Sequence, residues 1–185
     1  YELSKKYPTV GFDIKKSRIN ELKNGVDITN EIKQSLLKNT IVNKIEYLKD
    51  NSNGLLITDN EIEIKGSEIF IITVPTPIDK QKHPDLSLLI NATKTVAKYI
   101  KKDCIVIYES TVYPGATEED CVPILEKFSN LKFNKDFYCG YSPERINPGD
   151  KQHQLKDIIK VTSGSNDHIT NLIDDLYKTI ITAGT

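Results

Sequence analysis

The chain has 185 residues, of which 38% are hydrophobic and 28% are charged, and its formal net charge at pH 7 is −1. The near-neutral charge gives no electrostatic case for nucleic-acid binding. No apolar run approaches the ~20 residues that span a bilayer, so we expect no membrane partner either. Cys104, Cys121 and Cys139 are an odd number of cysteines without CxxC spacing. This pattern favours reduced thiols in a cytoplasmic protein and predicts no metal site.

Strands and helices are predicted to alternate along the chain. In chain order we expect a strand at 9–14, helices at 15–24, 30–39 and 45–50, a strand at 55–58, a short helix or turn at 60–65, a strand at 67–74, a helix at 85–101, a strand at 104–108, a helix at 117–129, strands at 137–140 and 158–162, a helix at 167–178 and a strand at 179–183. Apolar strands joined by crossover helices are typical of an α/β protein with a doubly wound, mostly parallel sheet.

The two ends of the chain indicate part of a longer protein. Residues 1–6 resemble the last turns of a helix, and residues 180–185 resemble a strand that leads onward. We therefore expect residues 1–185 to form one domain whose sheet is incomplete at both ends.

Polar turns follow three of the predicted strands. They lie at 73–77, 109–117 and 141–145. Because the carboxyl ends of parallel strands meet at one edge of a sheet, these turns predict a single ligand-binding edge.

Asp13 and Arg18 follow the first predicted strand. An acid at this point of a dinucleotide-binding fold accepts hydrogen bonds from the adenosine ribose and repels a 2′-phosphate. The alternative for Asp13 is to cap the helix that starts at Lys15. Arg18 could meet a phosphate or the adenine edge, although a solvated helix face is the more common explanation for such a residue.

Hydroxyls in the first two turns are candidates for contacts with a sugar or a pyrophosphate. Thr76 is held between Pro75 and Pro77, but an ordinary turn at the end of a strand would look the same. Thr111 and Thr117 flank the second turn. Thr117 is a plausible N-cap of a helix whose exposed N–H groups attract anions.

The third turn carries Glu144 beside Arg145. A carboxylate next to a guanidinium can act as a positioned acid, base or water-orienting group, with the arginine holding an anionic part of the substrate. The alternative is an exposed ion pair of little energetic consequence.

In their order and spacing these motifs resemble the UDP-glucose/GDP-mannose dehydrogenase family, most closely its UDP-N-acetylhexosamine 6-dehydrogenase branch. The resemblance covers essentially all 185 residues. The motifs that carry it are Val10-Gly11-Phe12-Asp13-Ile14, Val74-Pro75-Thr76-Pro77, Pro84-Asp85-Leu86, the stretch from Glu109-Ser110-Thr111 to Gly115-Ala116-Thr117, and Ser142-Pro143-Glu144-Arg145-Ile146-Asn147-Pro148-Gly149. It implies a Rossmann-type NAD-binding domain.

The resemblance also implies roles for individual residues in binding NAD. Asp13 would bind the adenosine ribose, and Arg18 would lie near the adenosine end. Thr76, Thr111 and Thr117 match positions that contact NAD, with Thr111 near the nicotinamide and the reacting carbon.

Catalysis and substrate binding would involve the third turn. Glu144 matches a carboxylate that takes part in catalysis by way of water, and Arg145 and Ile146 match positions that touch the substrate. The family's Gly-rich loop would lie upstream of Tyr1. Its catalytic Lys, Asn and Cys would lie beyond Thr185, so we expect the 185 residues alone to be inactive.

The implied reaction is the NAD-dependent oxidation of the C6 hydroxyl of a UDP-N-acetylhexosamine to the uronic acid, in capsule or O-antigen polysaccharide biosynthesis. The parent enzyme would be a homodimer, and its substrate would be a UDP-sugar. Two alternatives remain open. One is the NAD domain of another dehydrogenase, of the UDP-glucose or hydroxy-acid type, and the other is a non-catalytic nucleotide-binding domain.

Overall fold

Two mainly parallel sheets, one in each of two compact units, organise the chain. The structure is a computed structural model, and it describes residues 1–48, 53–78, 83–145 and 155–185. The first unit comprises the described residues up to 65, and the second comprises residues 66–145 and 155–185.

The first unit is a three-stranded parallel sheet with helices. Its elements are β1 (Pro8–Phe12), α1 (Lys16–Lys23), α2 (Gln34–Thr40), β2 (Ile41–Val42) and β3 (Gly54–Thr58). The strand order is β1-β3-β2, and both pairings are parallel. The core consists of Ile19 and Leu37 from the helices, packed with Leu55 and Ile57 from β3. Residues 45–48 form a 3₁₀ turn in place of the predicted helix, whose last two residues lie outside the described residues.

The end of α1 is set by Gly25, as the sequence predicts. Gly25 has φ 74°, a conformation that most side chains disfavour, and its N–H donates to the carbonyl of Leu22 at 2.8 Å. The chain then leaves the helix toward Asp27.

The second unit is a four-stranded sheet with helices. Its elements are β4 (Ile69–Ile72), α3 (Ser87–Ala97), β5 (Cys104–Tyr108), a π-helical turn (Thr117–Cys121) that continues as α4 (Val122–Ser129), β6 (Phe137–Tyr141), β7 (Ser163–Gly164) and α5 (Asp167–Lys178). The strand order is β4-β5-β6-β7, with β7 antiparallel and the other pairings parallel.

The core of this unit forms around β5, all of whose residues are buried. On one side α5 packs Ile169, Ile173 and Tyr177 against Ile105 and Ile107 of the strand. A continuous apolar run is what a strand buried on both faces requires, which explains why the predicted bounds of β5 are confirmed. The predicted bounds of α5 are confirmed as well.

All three cysteines lie buried in the second unit as free thiols. Cys104 and Cys139 are strand residues, as predicted, and Cys121 ends the π-helical turn. Each therefore packs as a small hydrophobic side chain.

Two predicted strands are wrong. Residues 158–162 form no strand, and the antiparallel edge strand begins one residue later, at Ser163. Residues 179–183 follow the end of α5 and begin with a turn, in which Ile180 N donates to Tyr177 O at 3.0 Å. Thr182 N then donates to Lys156 O at 3.0 Å. Ile181 is apolar because it is buried in the core beside α5. A short apolar run after a helix can therefore have the same composition as a strand, which is why a strand was predicted here.

Candidate functional site

The turns after β4 and β5 are joined by two side-chain hydrogen bonds. The hydroxyl of Ser110 donates to the carbonyl of Val74 at 2.6 Å, and the hydroxyl of Thr76 donates to the carbonyl of Thr111 at 2.6 Å. Thr76 is half-buried and Thr111 is exposed. The two threonines that were predicted separately are therefore neighbours at one edge of the sheet.

The turn after β6 lies directly beside the turn after β5. Ser142 N donates to the carbonyl of Tyr108 at 2.9 Å, and Glu144 N donates to the carbonyl of Glu109 at 3.2 Å. The structure thus brings Thr76, Thr111 and Glu144 to the same edge of the second unit, as expected for the carboxyl ends of adjacent parallel strands.

Glu144 and Arg145 are both exposed at the end of this turn. The N–H of Arg145 donates to a carboxylate oxygen of Glu144 at 2.7 Å, which orients the carboxylate against its own backbone. A carboxylate in this setting can accept a proton or hold a water molecule. Ile146, the second predicted substrate contact, lies outside the described residues.

Thr117 is the first residue of the π-helical turn and not its cap. The N-cap is Ala116, which has helical φ and ψ and makes no side-chain capping bond, so the predicted capping role of Thr117 is wrong. The bounds of the predicted helix at 117–129 are matched by this turn and α4, and Ala116 N bonds to Tyr113 O at 3.2 Å just before them. The Thr117 side chain is half-buried, and its contact with NAD stays a prediction.

Asp13 follows β1 in the first unit. Its N–H donates to the carbonyl of Thr58 at 3.1 Å, which continues the pairing of β1 with β3 by one residue. Its carboxylate is exposed and accepts a hydrogen bond from Lys15 N at 2.8 Å. The N-cap of α1 is Lys15 and no side chain caps the helix, so the alternative capping role of Asp13 is wrong. The carboxylate holds the turn before the helix, and its exposure suits contact with a ligand.

Arg18, on α1, is held by an acidic partner that sequence reasoning missed. Its guanidinium donates to Asp27 Oδ1 at 2.7 Å, and the exposed fraction of the two side chains is 23% and 3%. The predicted alternative of a solvated helix face is therefore wrong for Arg18. Its contact with the adenosine end of NAD stays a prediction.

Asp27 is a hub of hydrogen bonds in the loop after α1. Besides Arg18 it binds the hydroxyl of Thr29 at 2.8 Å and the N–H groups of Glu31 and Ile32 at 3.0 and 3.1 Å. Burial alone would raise the pKa of this carboxyl, but the hydrogen bonds from Arg18, Thr29 and Ile32 outweigh it and lower the pKa to about 2. Only a local turn signal at Asp27 was visible in the sequence.

A second missed group lies beneath the edge of the second unit. Lys160, with 4% of its side chain exposed, lies 3.4 Å from a carboxylate oxygen of Glu109, and the hydroxyl of Tyr177 donates to the same oxygen. Burial, reinforced by the Glu109 charge, raises the pKa of Tyr177, which keeps the phenol protonated. A lysine between Ile159 and Val161 carried no signal of burial.

Among the described residues, no helix has the length and apolarity of a bilayer-spanning segment. Within the same part of the chain, no three His, Cys, Asp or Glu side chains gather closely enough to hold a metal ion.

The fold and this edge define a nucleotide-binding α/β domain of the dehydrogenase type. Residues 4–181 match the UDP-glucose/GDP-mannose dehydrogenase family, NAD binding domain. The chain belongs to this family, and NAD is the cofactor of the matched domain.

Relatives with known names point to one branch of the family. The chain is 54% identical over 184 residues to the UDP-N-acetyl-D-glucosamine 6-dehydrogenase of Pseudomonas aeruginosa, covering 100% of this chain and 41% of that protein. It is 53% identical to the protein of the same name from Salmonella typhi, covering 100% of this chain and 40% of that protein.

Among solved structures, the UDP-D-ManNAc dehydrogenase of Pyrococcus horikoshii superposes with a TM-score of 0.82 at 33% identity, covering 99% of this chain and 42% of that one. This likeness confirms the predicted Rossmann-type α/β class. The chain spans about 40% of the length of the curated relatives named here.

Proposed function

We propose that this chain is the NAD-binding part of a UDP-N-acetylhexosamine 6-dehydrogenase that acts in capsule or O-antigen polysaccharide biosynthesis. The observation that carries the proposal is the 54% identity, over the whole chain, to a UDP-N-acetyl-D-glucosamine 6-dehydrogenase. The reaction oxidises the sugar C6 alcohol to a carboxylate in two hydride transfers. The complete enzyme is a cytoplasmic homodimer in this proposal.

The donor and acceptor groups of the chain fit a dinucleotide. Asp13 offers an exposed carboxylate at the end of β1, which accepts hydrogen bonds from ribose hydroxyls and repels a 2′-phosphate. Thr76 and Thr111 lie side by side on the second unit, where the Thr76 hydroxyl donates to the backbone carbonyl of Thr111. Arg18 and Thr117 complete the proposed set of cofactor contacts. When bound, NAD supplies the hydride acceptor.

Glu144 is the group of this chain best placed to handle protons. Its carboxylate is exposed at the sheet edge that carries Thr111, and its backbone is fixed to Glu109. In this role Glu144 holds a water molecule and takes up a proton released as the alcohol is oxidised. Arg145 offers an exposed cation for an anionic part of the UDP-sugar. Ile146 is a further proposed substrate contact.

The test uses the protein encoded by the complete open reading frame that contains this chain. The purified protein is given NAD and, separately, UDP-N-acetylglucosamine, its manno and galacto isomers, and UDP-glucose. We expect two NADH per sugar and a uronic acid product, with an N-acetylhexosamine preferred. No NADH with any UDP-sugar overturns the proposal in favour of a different dehydrogenase or a non-catalytic nucleotide-binding domain. A preference for UDP-glucose selects that type of dehydrogenase.

The role of Glu144 is tested with the Glu144→Gln variant. Removing a positioned acid–base group lowers kcat by about 100-fold or more. Glu31→Gln, an exposed substitution in the first unit, is the matched control and keeps wild-type kcat. Unchanged turnover in E144Q would show that Glu144 is not catalytic, even if the enzyme oxidises the sugar.

A further inference from the structure

We propose that Lys160 is a positioning residue for Glu144. It acts through a buried group, the Lys160 cluster, which consists of Lys160, Glu109 and Tyr177. This inference rests on the proposed function, because it concerns the placement of the carboxylate to which that function gives a catalytic role.

The ammonium of Lys160 contacts the turn that carries Glu144. Its Nζ donates to the carbonyl of Pro143 at 3.4 Å and lies 3.4 Å from a carboxylate oxygen of Glu109. The same Nζ lies 5.3 Å from the centre of the Tyr177 ring, within the range of a cation–π contact. One side chain thus binds the peptide unit immediately before Glu144 and the residue that directly follows β5.

Glu109 connects the cluster to both polar turns. Its side chain binds Lys160 and Tyr177, while its backbone carbonyl accepts the hydrogen bond from Glu144 N at 3.2 Å. Glu109 also directly precedes the Ser110-Thr111 pair. A shift of Glu109 therefore moves Glu144 and the proposed cofactor contact at Thr111 together.

Hydrogen bonds of the backbone at residues 160 and 161 hold the segment that carries the Lys160 side chain in place. Lys160 N donates to the carbonyl of Gly184 at 3.1 Å, and the carbonyl of Val161 accepts the hydroxyl of Ser142 at 2.8 Å. Ser142 is fully buried. The segment at 160–161 is therefore fastened to the Glu144 turn by backbone and side-chain bonds as well as by the ammonium.

Stability alone is a poor explanation for an ammonium at this position. Lys160 has 4% of its side chain exposed and Glu109 has 16%. Desolvating two charges costs about as much as their attraction returns, and apolar replacements of buried pairs are often neutral or stabilising. What an apolar side chain lacks is the ability to donate a hydrogen bond to the Pro143 carbonyl and to pair with the Glu109 carboxylate at once. The cluster is thus suited to fixing geometry.

The experiment compares three variants of the complete enzyme. Lys160→Met removes the ammonium at nearly constant length. Glu109→Gln combined with Lys160→Met removes both buried charges, so that no carboxylate is left unpaired. Lys178→Met is the matched control, since Lys178 is 56% exposed and pairs with Asp174 on the outside of α5. Each variant is assayed for kcat, for both KM values, for thermal midpoint and for amide hydrogen exchange at 142–145.

We expect K160M to lower kcat by about 10- to 100-fold with smaller changes in KM, because small displacements of catalytic groups carry penalties of this order. Amide exchange at 142–145 should accelerate. The double variant should regain thermal stability without regaining kcat or exchange protection, which a merely structural role would not produce. K178M should match the wild type in all four measurements.

The positioning role is overturned if folded K160M keeps wild-type kcat and wild-type exchange at 142–145. Should K160M not fold, the double variant decides by the same criteria. A wild-type enzyme that oxidises no UDP-sugar would instead refute the proposed function. In that case the exchange measurement alone still decides whether Lys160 fixes the Glu144 turn.

Discussion

The hydroxyl of Thr76 donates a 2.6 Å hydrogen bond to the backbone carbonyl of Thr111. This bond joins the turn after β4 to the turn after β5, so each threonine helps to hold the other in place. The flanking prolines of Thr76 limit the backbone freedom of the first turn, and the hydrogen bond extends that constraint to the second. Constraints of this kind reduce the ordering that ligand binding must supply.

Replacing Thr76 by valine tests this arrangement. Valine keeps the shape of the side chain but cannot donate to Thr111, and the loss of one hydrogen bond is worth about 1 kcal/mol, or about 5-fold in affinity. We expect the KM for NAD of the complete enzyme to rise by about this factor. Thr76→Ser keeps the hydroxyl and should behave like the wild type. An unchanged KM in T76V would mean that the bond to Thr111 does not shape the cofactor edge.

The contact of Asp27 with Arg18 predicts a specific loss of stability in acid. The folded-state pKa of Asp27 is lowered to about 2, below its unfolded value near 4, so its contribution is fully present above about pH 4 and is lost as the pH falls through about 2. Asp27→Asn should reduce the free energy of unfolding at neutral pH by about 2 kcal/mol and weaken the pH dependence in that window.

Urea unfolding between neutral and acidic pH measures this effect. Asp59→Asn is the control, because Asp59 lies 4.0 Å from the exposed ammonium of Lys16 and such pairs contribute little. If D27N and D59N lose equal stability, the buried contact with Arg18 is not what stabilises the loop after α1.

Two glycines face each other across β6 and β7, and neither position has room for a larger side chain. Gly140 pairs with Gly164. A Cβ on Gly164 would lie 2.7 Å from the carbonyl carbon of Ile169, and one on Gly140 would lie 2.8 Å from the carbonyl oxygen of Ser163. Both contacts are with backbone, so alanine at either position should lower the free energy of unfolding by about 1–3 kcal/mol.

Gly11→Ala is the matched control for these substitutions. At Gly11, in β1, the nearest atom to an added Cβ is 3.6 Å away, an ordinary van der Waals separation. Urea unfolding should therefore place G11A within about 0.5 kcal/mol of the wild type, as for most substitutions that create no clash. A G164A midpoint equal to that of G11A would refute the proposed close packing of α5 on β7.

The elements that sequence reasoning located well are those with one dominant local signal. The bounds of β5 follow from an uninterrupted apolar run, and those of α5 follow from Asn166, whose side chain caps the helix by accepting from Ile169 N at 3.0 Å, and from a regular apolar stripe. The strand predicted at 179–183 was wrong because Ile181 is buried beside a helix, and such a residue is as apolar as one buried within a strand.

The part of the candidate site that could be predicted is the part whose residues are brought together by neighbouring parallel strands. Thr76, Thr111 and Glu144 each follow a parallel strand, so their common edge could be inferred from the pattern. Lys160 and Glu109 could not be paired in this way, since they approach through the packing of an irregular segment against the sheet. Long-range pairing of that kind leaves no periodic trace in a single sequence.

The burial of Cys104, Cys121 and Cys139 has a practical consequence. Desolvation raises the pKa of all three thiols, so little thiolate is available and reagents in solution cannot reach the sulfur atoms in the folded state. The rate at which an alkylating reagent consumes these thiols therefore reports how often the second unit opens. The native sequence carries its own probes for following that opening by mass spectrometry.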